Sequence, residues 1–231
     1  MTPLVLLPGM MCDARLFQPQ IAALSGSRPL MTFPLSAQDS VQAMAAEVLS
    51  NAPPVFALAG LSMGGIVAME VVRQAPERVE RLALLDTNPL AEKTQVKARR
   101  GPLMAAVKAG QLRQVMRDEM KPNYLADGPD RGAILDLCMA MAMNLGADVF
   151  LRQSRALMDR PDQSETLKAY TGPALVLCGR EDGLCPVERH RLMHELLPNS
   201  SLEIIEEAGH LPTLEKPDDT TAALIRWLEA I

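Results

Sequence analysis

Short apolar runs alternate with longer helical patterns in the first third of the chain and again near its C-terminal end. The runs are almost unbroken in apolar character, which is typical of parallel strands covered on both faces. The predicted strands are Pro3–Pro8, Pro29–Phe33, Pro54–Ala59, Arg81–Asp86, Pro173–Gly179 and Ser201–Glu206. The predicted helices are Ala14–Leu24, Asp39–Leu49, Met63–Gln74, Val187–Leu197 and Pro217–Ala230. Because such alternation builds parallel βαβ units, the sequence predicts an α/β fold with about six strands, mostly parallel.

The pattern changes between the fourth and fifth predicted strands. Residues 88–170 show helical periodicity without a convincing strand, far beyond the roughly 2 to 6 residues of an ordinary connection. We therefore expect a main domain formed by 1–87 and 171–231, with 88–170 inserted as a helical unit. Within it, Ala133–Met143 has one polar side chain, Asp136, and a helix apolar on nearly every side needs cover on nearly every side.

Three interpretations of this apolar helix stay open. It packs as a buried lid helix on the main domain, or it seals a homodimer, or its methionines line an apolar substrate pocket. Methionine side chains adapt to irregular shapes, so Met139 and Met143 are the candidate substrate-binding residues.

Composition limits the partners and the compartment. The 231 residues carry a net charge of −5, and the one basic cluster, Lys93 to Arg100, is typical of a solvated helix face, so nucleic acid is not an expected partner. Four cysteines form no CxxC pair, and neither a charged leader nor an apolar run of about 18 residues is present. We expect a cytoplasmic protein with free thiols and no membrane partner.

The motif GxSxG occurs at Gly60–Gly64, where a predicted strand turns into a predicted helix. This is the setting of a nucleophile elbow, in which small neighbours tolerate the strained backbone of the serine. The simpler alternative is an ordinary capping serine in a glycine-rich turn. The glycine spacing differs from that of a dinucleotide loop, and no lysine suits a phosphate loop. Ser62 is the candidate nucleophile.

A serine nucleophile needs a base, and the chain has three histidines. His190 and His194 lie four residues apart on a charged helix, where a solvated face is the expected role and metal binding the alternative. His210 lies in a loop after the last predicted strand, among loops that gather at the carboxyl ends of parallel strands. His210 is therefore the predicted base.

A carboxylate must orient this base, and an oxyanion needs hydrogen-bond donors. Asp182, in the loop after the fifth predicted strand, is the predicted acid, with Asp86 as its rival. The backbone N–H of Met63, after the nucleophile, is one predicted oxyanion donor. The loop after the first strand offers the second, at Met10 or alternatively at Met11.

The chain resembles the α/β-hydrolase superfamily, in particular its small capped carboxylesterases. The resemblance rests on the chain order Ser62, Asp182, His210 and on the stretches GLSMGG, GREDGLCP and AGHLPTLEKP. The resemblance implies a helical cap at 88–170, a catalytic triad, and neither metal nor organic cofactor. Two features depart from the superfamily pattern. The N-terminal hairpin is missing, so the sheet should be reduced to six strands, and Pro8-Gly9 replaces the common His-Gly of the oxyanion loop.

The resemblance favours hydrolysis of a carboxylic ester through an acyl-enzyme, and we expect a small-molecule ester with an apolar acyl or alcohol group as the substrate. Alternatives that keep the triad are action on a thioester, a lactone or a carbon–carbon bond flanked by carbonyls, or acyl transfer to an alcohol. A ligand-binding module without turnover is an alternative of a different class.

Overall fold

The computed structural model describes residues 1–230. Its strands are β1 (Leu4–Leu7), β2 (Leu30–Thr32), β3 (Phe56–Leu61), β4 (Val79–Leu85), β5 (Ala174–Gly179) and β6 (Ser200–Ile205). They form one six-stranded sheet in the order β2-β1-β3-β4-β5-β6, and every neighbouring pair is parallel. The prediction of a reduced, mostly parallel sheet is confirmed.

The helices follow the strands in the predicted alternation. They are α1 (Gln18–Leu24), α2 (Val41–Asn51), α3 (Met63–Gln74), α4 (Thr94–Lys108), α5 (Leu112–Val115), α6 (Arg131–Leu145), α7 (Ala147–Met158), α8 (Ser164–Ala169), α9 (Val187–Leu196), α10 (Pro212–Glu215) and α11 (Pro217–Glu229). Pro76 and Pro217 act as expected, since α3 ends before the first and α11 begins at the second.

The sheet separates two apolar cores, because successive side chains of a strand point to opposite faces. Val5 and Leu7 of β1 belong to the core that contains α2 and α3, whereas Leu4 and Leu6 belong to the core that contains α1 and α11. All four side chains are fully buried, which explains why the strand is an unbroken apolar run.

The segment between β4 and β5 is helical, within the described part of the chain, and packs on both cores. Helices α4 and α7 contact each other, and α8 packs against α3 and α9. A buried hydrogen bond of 2.7 Å from Gln163 Nε2 to Glu70 Oε2 joins the start of α8 to α3. This segment is therefore closely attached to the sheet-bearing part of the chain.

Helix α6 corrects the expectation of cover on nearly every side. Its buried positions are Ile134, Cys138, Met141 and Ala142. The opposite stripe, Ala133, Asp136, Ala140 and Met143, is exposed. The helix is apolar enough to be buried, but it meets the domain along one face only. Over residues 1–230, no single helix is long and apolar enough to cross a membrane; α6 and α7 meet that criterion only as a pair, which bends by 98°.

Candidate active site

Ser62 lies in the sharp turn between β3 and α3, with a φ of 56° and a ψ of −116°. This left-handed backbone is strained for a residue with a side chain, and close packing enforces it. A Cβ on Gly60 would lie 2.3 Å from the oxygen of Gly64, and one on Gly64 would lie 1.9 Å from the oxygen of Leu7 in β1. The two motif glycines thus allow the turn to pass directly against the sheet.

Thr87, which belongs to none of the predicted site motifs, supports this turn from just after β4. Thr87 Oγ1 donates a hydrogen bond of 2.7 Å to the carbonyl oxygen of Ser62, and the Thr87 N–H donates one of 3.1 Å to His190 Nε2. A Cβ on Gly65 would lie 2.7 Å from the Thr87 side chain, so Gly65 makes room for this contact. The signal available in the sequence was the polar Thr87 directly after an apolar strand.

His190 is fully buried, which corrects the prediction of a solvated face for the two helix histidines. Its Nδ1 lies 3.3 Å from the Pro186 carbonyl oxygen. Because Nε2 accepts from Thr87, the ring is neutral with its proton on Nδ1. Burial lowers the pKa of His190 to about 4. His194 is half-buried and bonds Ser200 Oγ through Nδ1 at 2.8 Å.

The structure brings the three predicted triad residues together. Ser62 Oγ lies 2.9 Å from His210 Nε2, and His210 Nδ1 lies 2.8 Å from Asp182 Oδ2. The other oxygen of Asp182 accepts hydrogen bonds from the backbone N–H groups of Leu184 and Cys185 at 2.8 and 3.0 Å. Burial alone would raise the pKa of Asp182, but His210 and these two donors outweigh it, so the pKa lies below its ordinary value. Asp182 is thus held as a carboxylate.

Asp86, the rival acid, takes a different place. It is fully buried, with a φ of 43°, and its Oδ1 accepts a hydrogen bond of 2.9 Å from the Gly179 N–H. Burial, followed by the negative charge of Asp182, raises its pKa well above the ordinary value. Its Oδ2 has no hydrogen-bond partner within residues 1–230. The raised pKa favours the protonated form of Asp86 beside Asp182, and the carboxyl that contacts His210 is that of Asp182.

Glu215 secures the loop that carries His210. One of its carboxylate oxygens accepts hydrogen bonds from the N–H groups of Gly209 (2.9 Å) and Ala126 (2.8 Å), and the other accepts one from Leu211 (2.9 Å). The His210 N–H in turn donates to the Tyr124 carbonyl oxygen at 2.7 Å. The histidine loop is thereby attached to the helical segment between β4 and β5. Glu215 lies within the stretch AGHLPTLEKP that contains His210, but only its contacts in the structure show that it holds this loop in place.

The oxyanion loop distinguishes between the two predicted donors. The Met11 N–H donates a buried hydrogen bond of 2.8 Å to Gln153 Oε1 and is therefore occupied. In the described part of the chain, the N–H groups of Met10 and Met63 have no protein acceptor, and both residues line the cavity that contains Ser62. This geometry favours Met10 over Met11.

The cavity above Ser62 has a volume of about 440 Å³. Its walls include apolar side chains from the segment between β4 and β5, namely Leu90, Val96, Met120, Tyr124 and Leu157. Met139 and Met143 do not line it. Met143 is 37% exposed to solvent, and Met139 packs against the core of α2 and α3. The substrate-binding prediction for these two methionines is corrected, because α6 turns its contact face to the domain core and not to the cavity.

Asp182, Cys185 and His210 present ligand atoms within 4.8 Å of one another. The same atoms of Asp182 and His210 already form the hydrogen bonds described above. Desolvation by the surrounding protein raises the pKa of the Cys185 thiol well above its ordinary value. A neutral thiol is a poor metal ligand, so this group of side chains fits a proton-transfer site better than a metal site.

The comparisons with known proteins agree with this fold. A model of the Alpha/beta hydrolase family matches residues 4–224, nearly the whole chain. The chain belongs to the Alpha/beta hydrolase family. As in the sequence-based expectation, this alpha/beta hydrolase has a six-stranded sheet with the candidate nucleophile between β3 and α3.

Individual relatives include esterases. The chain is 26% identical to a pimeloyl-[acyl-carrier protein] methyl ester esterase of Aliivibrio salmonicida, over 98% of this chain and 92% of that protein. It is 30% identical to a protein of the same name from Cronobacter sakazakii, over 79% of this chain and 72% of that protein. Among solved structures, a thermophilic esterase from Thermogutta terrifontis is similar with a TM-score of 0.89 and 25% identity, over 99% of this chain and 89% of that chain.

Proposed function

We propose that this alpha/beta hydrolase is a serine esterase that cleaves small carboxylic esters through an acyl-enzyme. The observation that carries the proposal is the continuous hydrogen-bond chain from Ser62 Oγ through His210 to Asp182, with distances of 2.9 and 2.8 Å, beside a cavity of about 440 Å³. Two relatives named as methyl ester esterases support the ester as the bond that is cleaved.

In the first half of the reaction, Ser62 Oγ attacks the ester carbonyl carbon while His210 Nε2 takes its proton. Asp182, held as a carboxylate, stabilises the imidazolium that forms. The N–H groups of Met10 and Met63 donate to the carbonyl oxygen as it becomes an oxyanion. Each such donor is typically worth about 3 to 4 kcal/mol of barrier, because it is already oriented before the charge develops.

In the second half, the bond between the carbonyl carbon and the alcohol oxygen breaks while His210 Nε2 gives its proton to that oxygen, and the alcohol leaves. Water then attacks the acyl-enzyme carbonyl carbon while His210 takes its proton; the bond to Ser62 Oγ breaks, Oγ receives that proton, and the acid leaves. Every proton transfer in this cycle uses the one imidazole nitrogen that faces Ser62.

Residues 88–170 act in this proposal as the cap over a main domain formed by 1–87 and 171–231. Their side chains form part of the cavity wall, and their contact with the His210 loop through Tyr124 and Glu215 links the cap to the base. We propose a cytoplasmic location, consistent with the free thiols of Cys12, Cys138, Cys178 and Cys185. The homodimer remains a prediction.

The test compares Ser62→Ala with Ser50→Ala, a matched control at an exposed serine of α2. The native chain and the control should hydrolyse short-chain esters and should be labelled stoichiometrically by a fluorophosphonate. Ser62→Ala should lose at least about 1,000-fold in kcat and all labelling. Stoichiometric labelling of Ser62→Ala would show that another residue is the nucleophile. A panel of thioesters and lactones of matched acyl chain ranks the alternative bonds.

A further inference from the structure

The cavity above Ser62 is strongly cationic although the chain as a whole is acidic. Lys93, Arg100, Arg160 and Arg189 line it, and Glu92 is the one carboxylate in its wall within residues 1–230. The chain carries a net charge of −5. The charge of the cavity wall is therefore opposite in sign to the net charge of the chain.

Two of these cations share a single counter-ion. Arg100 Nε and Nη2 donate to the two oxygens of Glu92 at 2.6 and 2.8 Å, and Arg160 Nη1 donates to Glu92 Oε1 at 2.8 Å. The side chains of Glu92, Arg160 and Arg100 are 1%, 10% and 16% exposed. Two guanidinium groups and one carboxylate leave one positive charge without a partner in a largely desolvated place.

Arg160 is the more deeply buried of the two guanidinium groups. Burial, followed by the nearby charge of Arg100, holds the pKa of Arg160 below its ordinary value even though Glu92 opposes the shift. A partly buried cation of this kind is stabilised when an anion reaches it.

Donors of both arginines remain that do not bond Glu92. Arg100 Nη1 makes only a weak contact of 3.8 Å with the sulfur of Met10, whose N–H is the predicted oxyanion donor. Arg160 Nε donates to the Leu90 carbonyl oxygen, and its Nη2 has no protein acceptor in the described chain. Both arginines line the cavity that contains Ser62, so these donors belong to side chains of the cavity wall.

We propose that the ester substrate carries an anionic oxygen group, a carboxylate or a phosphate, which Arg100 and Arg160 bind at the cap end of the cavity. This inference rests on the proposed esterase function and adds the class of its substrate. Lys93 and Arg189 at the cavity edge raise the local concentration of such an anion by their field.

The first test uses the unmodified enzyme and needs no variant. Monomethyl esters of dicarboxylic acids of increasing chain length are compared with the corresponding neutral dimethyl esters, and with acetyl esters of a phosphate-bearing alcohol. We expect the anionic esters to have kcat/KM values about 10-fold to 100-fold higher, mainly through a lower KM, with a preference that falls as salt is added. The rank of carboxylate and phosphate identifies which anion is bound.

Two variants then test the residues, with opposite expected signs. Arg100→Gln should reduce kcat/KM for the anionic ester about 10-fold to 100-fold more than it reduces kcat/KM for the neutral ester. Glu92→Gln removes the competing carboxylate and should increase the preference for the anionic ester. Arg155→Gln, which removes an exposed cation of α7 outside the cavity, is the matched control and should change neither substrate.

Equal kcat/KM values for anionic and neutral esters in the unmodified enzyme would overturn the inference. An equal loss of kcat/KM for the two esters in Arg100→Gln would also overturn it, because Arg100 would then have only a structural role. In either case, hydrolysis of the neutral ester that is abolished by Ser62→Ala would leave the esterase function intact. The two proposals therefore fail in distinguishable ways.

Discussion

The buried His190 makes the support of the nucleophile turn sensitive to acid. It accepts the Thr87 N–H through Nε2, and Thr87 in turn holds the carbonyl oxygen of Ser62. Protonation would turn Nε2 into an N–H donor that faces the Thr87 N–H donor, inside a site from which water is excluded. We predict that mild acid destabilises the fold through this one residue.

The magnitude follows from the pKa values of the folded and unfolded states. The unfolded chain has the ordinary histidine value of 6.5, whereas burial lowers the pKa of His190 to about 4 in the folded protein. Between these values the unfolded state binds a proton that the folded state does not, so stability falls as the pH falls below 6.5. At about 1.36 kcal/mol per pKa unit, the full loss is about 3.4 kcal/mol and is reached below about pH 3, with about 3 kcal/mol lost at about pH 4 and about 1.4 kcal/mol at about pH 5.5.

The assay is urea unfolding followed by circular dichroism at about pH 7.5 and 5.5, in the native chain and in His190→Gln. Glutamine does not titrate, and its carbonyl oxygen can still accept the Thr87 N–H. The native chain should lose about 1.4 kcal/mol more than this variant between the two pH values. His194→Gln, on the same helix but half-buried, is the control and should keep the native acid response. An equal acid loss in the native chain and in His190→Gln would refute this reasoning.

Three further outcomes follow from the site. Gly64→Ala should lower the free energy of unfolding in urea by at least about 3 kcal/mol, since the added Cβ would lie 1.9 Å from a carbonyl oxygen of β1. Gly132→Ala in α6 is the control: it has open space around it and should be neutral or stabilising by up to about 1 kcal/mol. Asp86→Asn should keep most of kcat because asparagine is uncharged, can still accept the Gly179 N–H and tolerates positive φ, whereas Asp86→Ala should lose stability by about 1 to 3 kcal/mol together with activity. Glu215→Gln should lower the free energy of unfolding by about 1 to 3 kcal/mol, because one of the three backbone N–H donors then faces the N–H of the glutamine amide. Because the His210 loop is then held less firmly, esterase assays should show a larger change in kcat than in KM.

The strands and the site loops could be predicted from the sequence because their signals are local. An apolar run between Pro3 and Pro8 predicts β1, and GxSxG between a strand and a helix predicts the turn at Ser62. The spacing of Asp182 and His210 after successive strands also predicts their meeting, since parallel strands present their carboxyl ends at one edge. The choice of Asp182 over Asp86 agrees with the observed contact to His210.

The predictions that needed a packing partner were less accurate. His190 lies in a stretch dominated by charges, and nothing in that stretch indicates that its ring turns inward to Thr87. The apolar composition of α6 predicts burial but not which face is buried, so Met139 and Met143 were expected at a cavity that Met120 lines instead. A hydrophobic pattern records how much surface can be covered, and the covering element comes from a distant part of the chain.

The sequence by itself therefore determined the order of strands and helices, the helical segment after β4 and the candidate residues of the site, because backbone periodicity and turn chemistry are local properties. Tertiary structure alone decided that Gln153 occupies the Met11 N–H and that burial beside Asp182 raises the pKa of Asp86. It also decided that Arg100 and Arg160 share Glu92 at the cavity wall. Each of these depends on distances between groups that are far apart in the chain, and the strength of a hydrogen bond or a charge depends on those distances and on the exclusion of water.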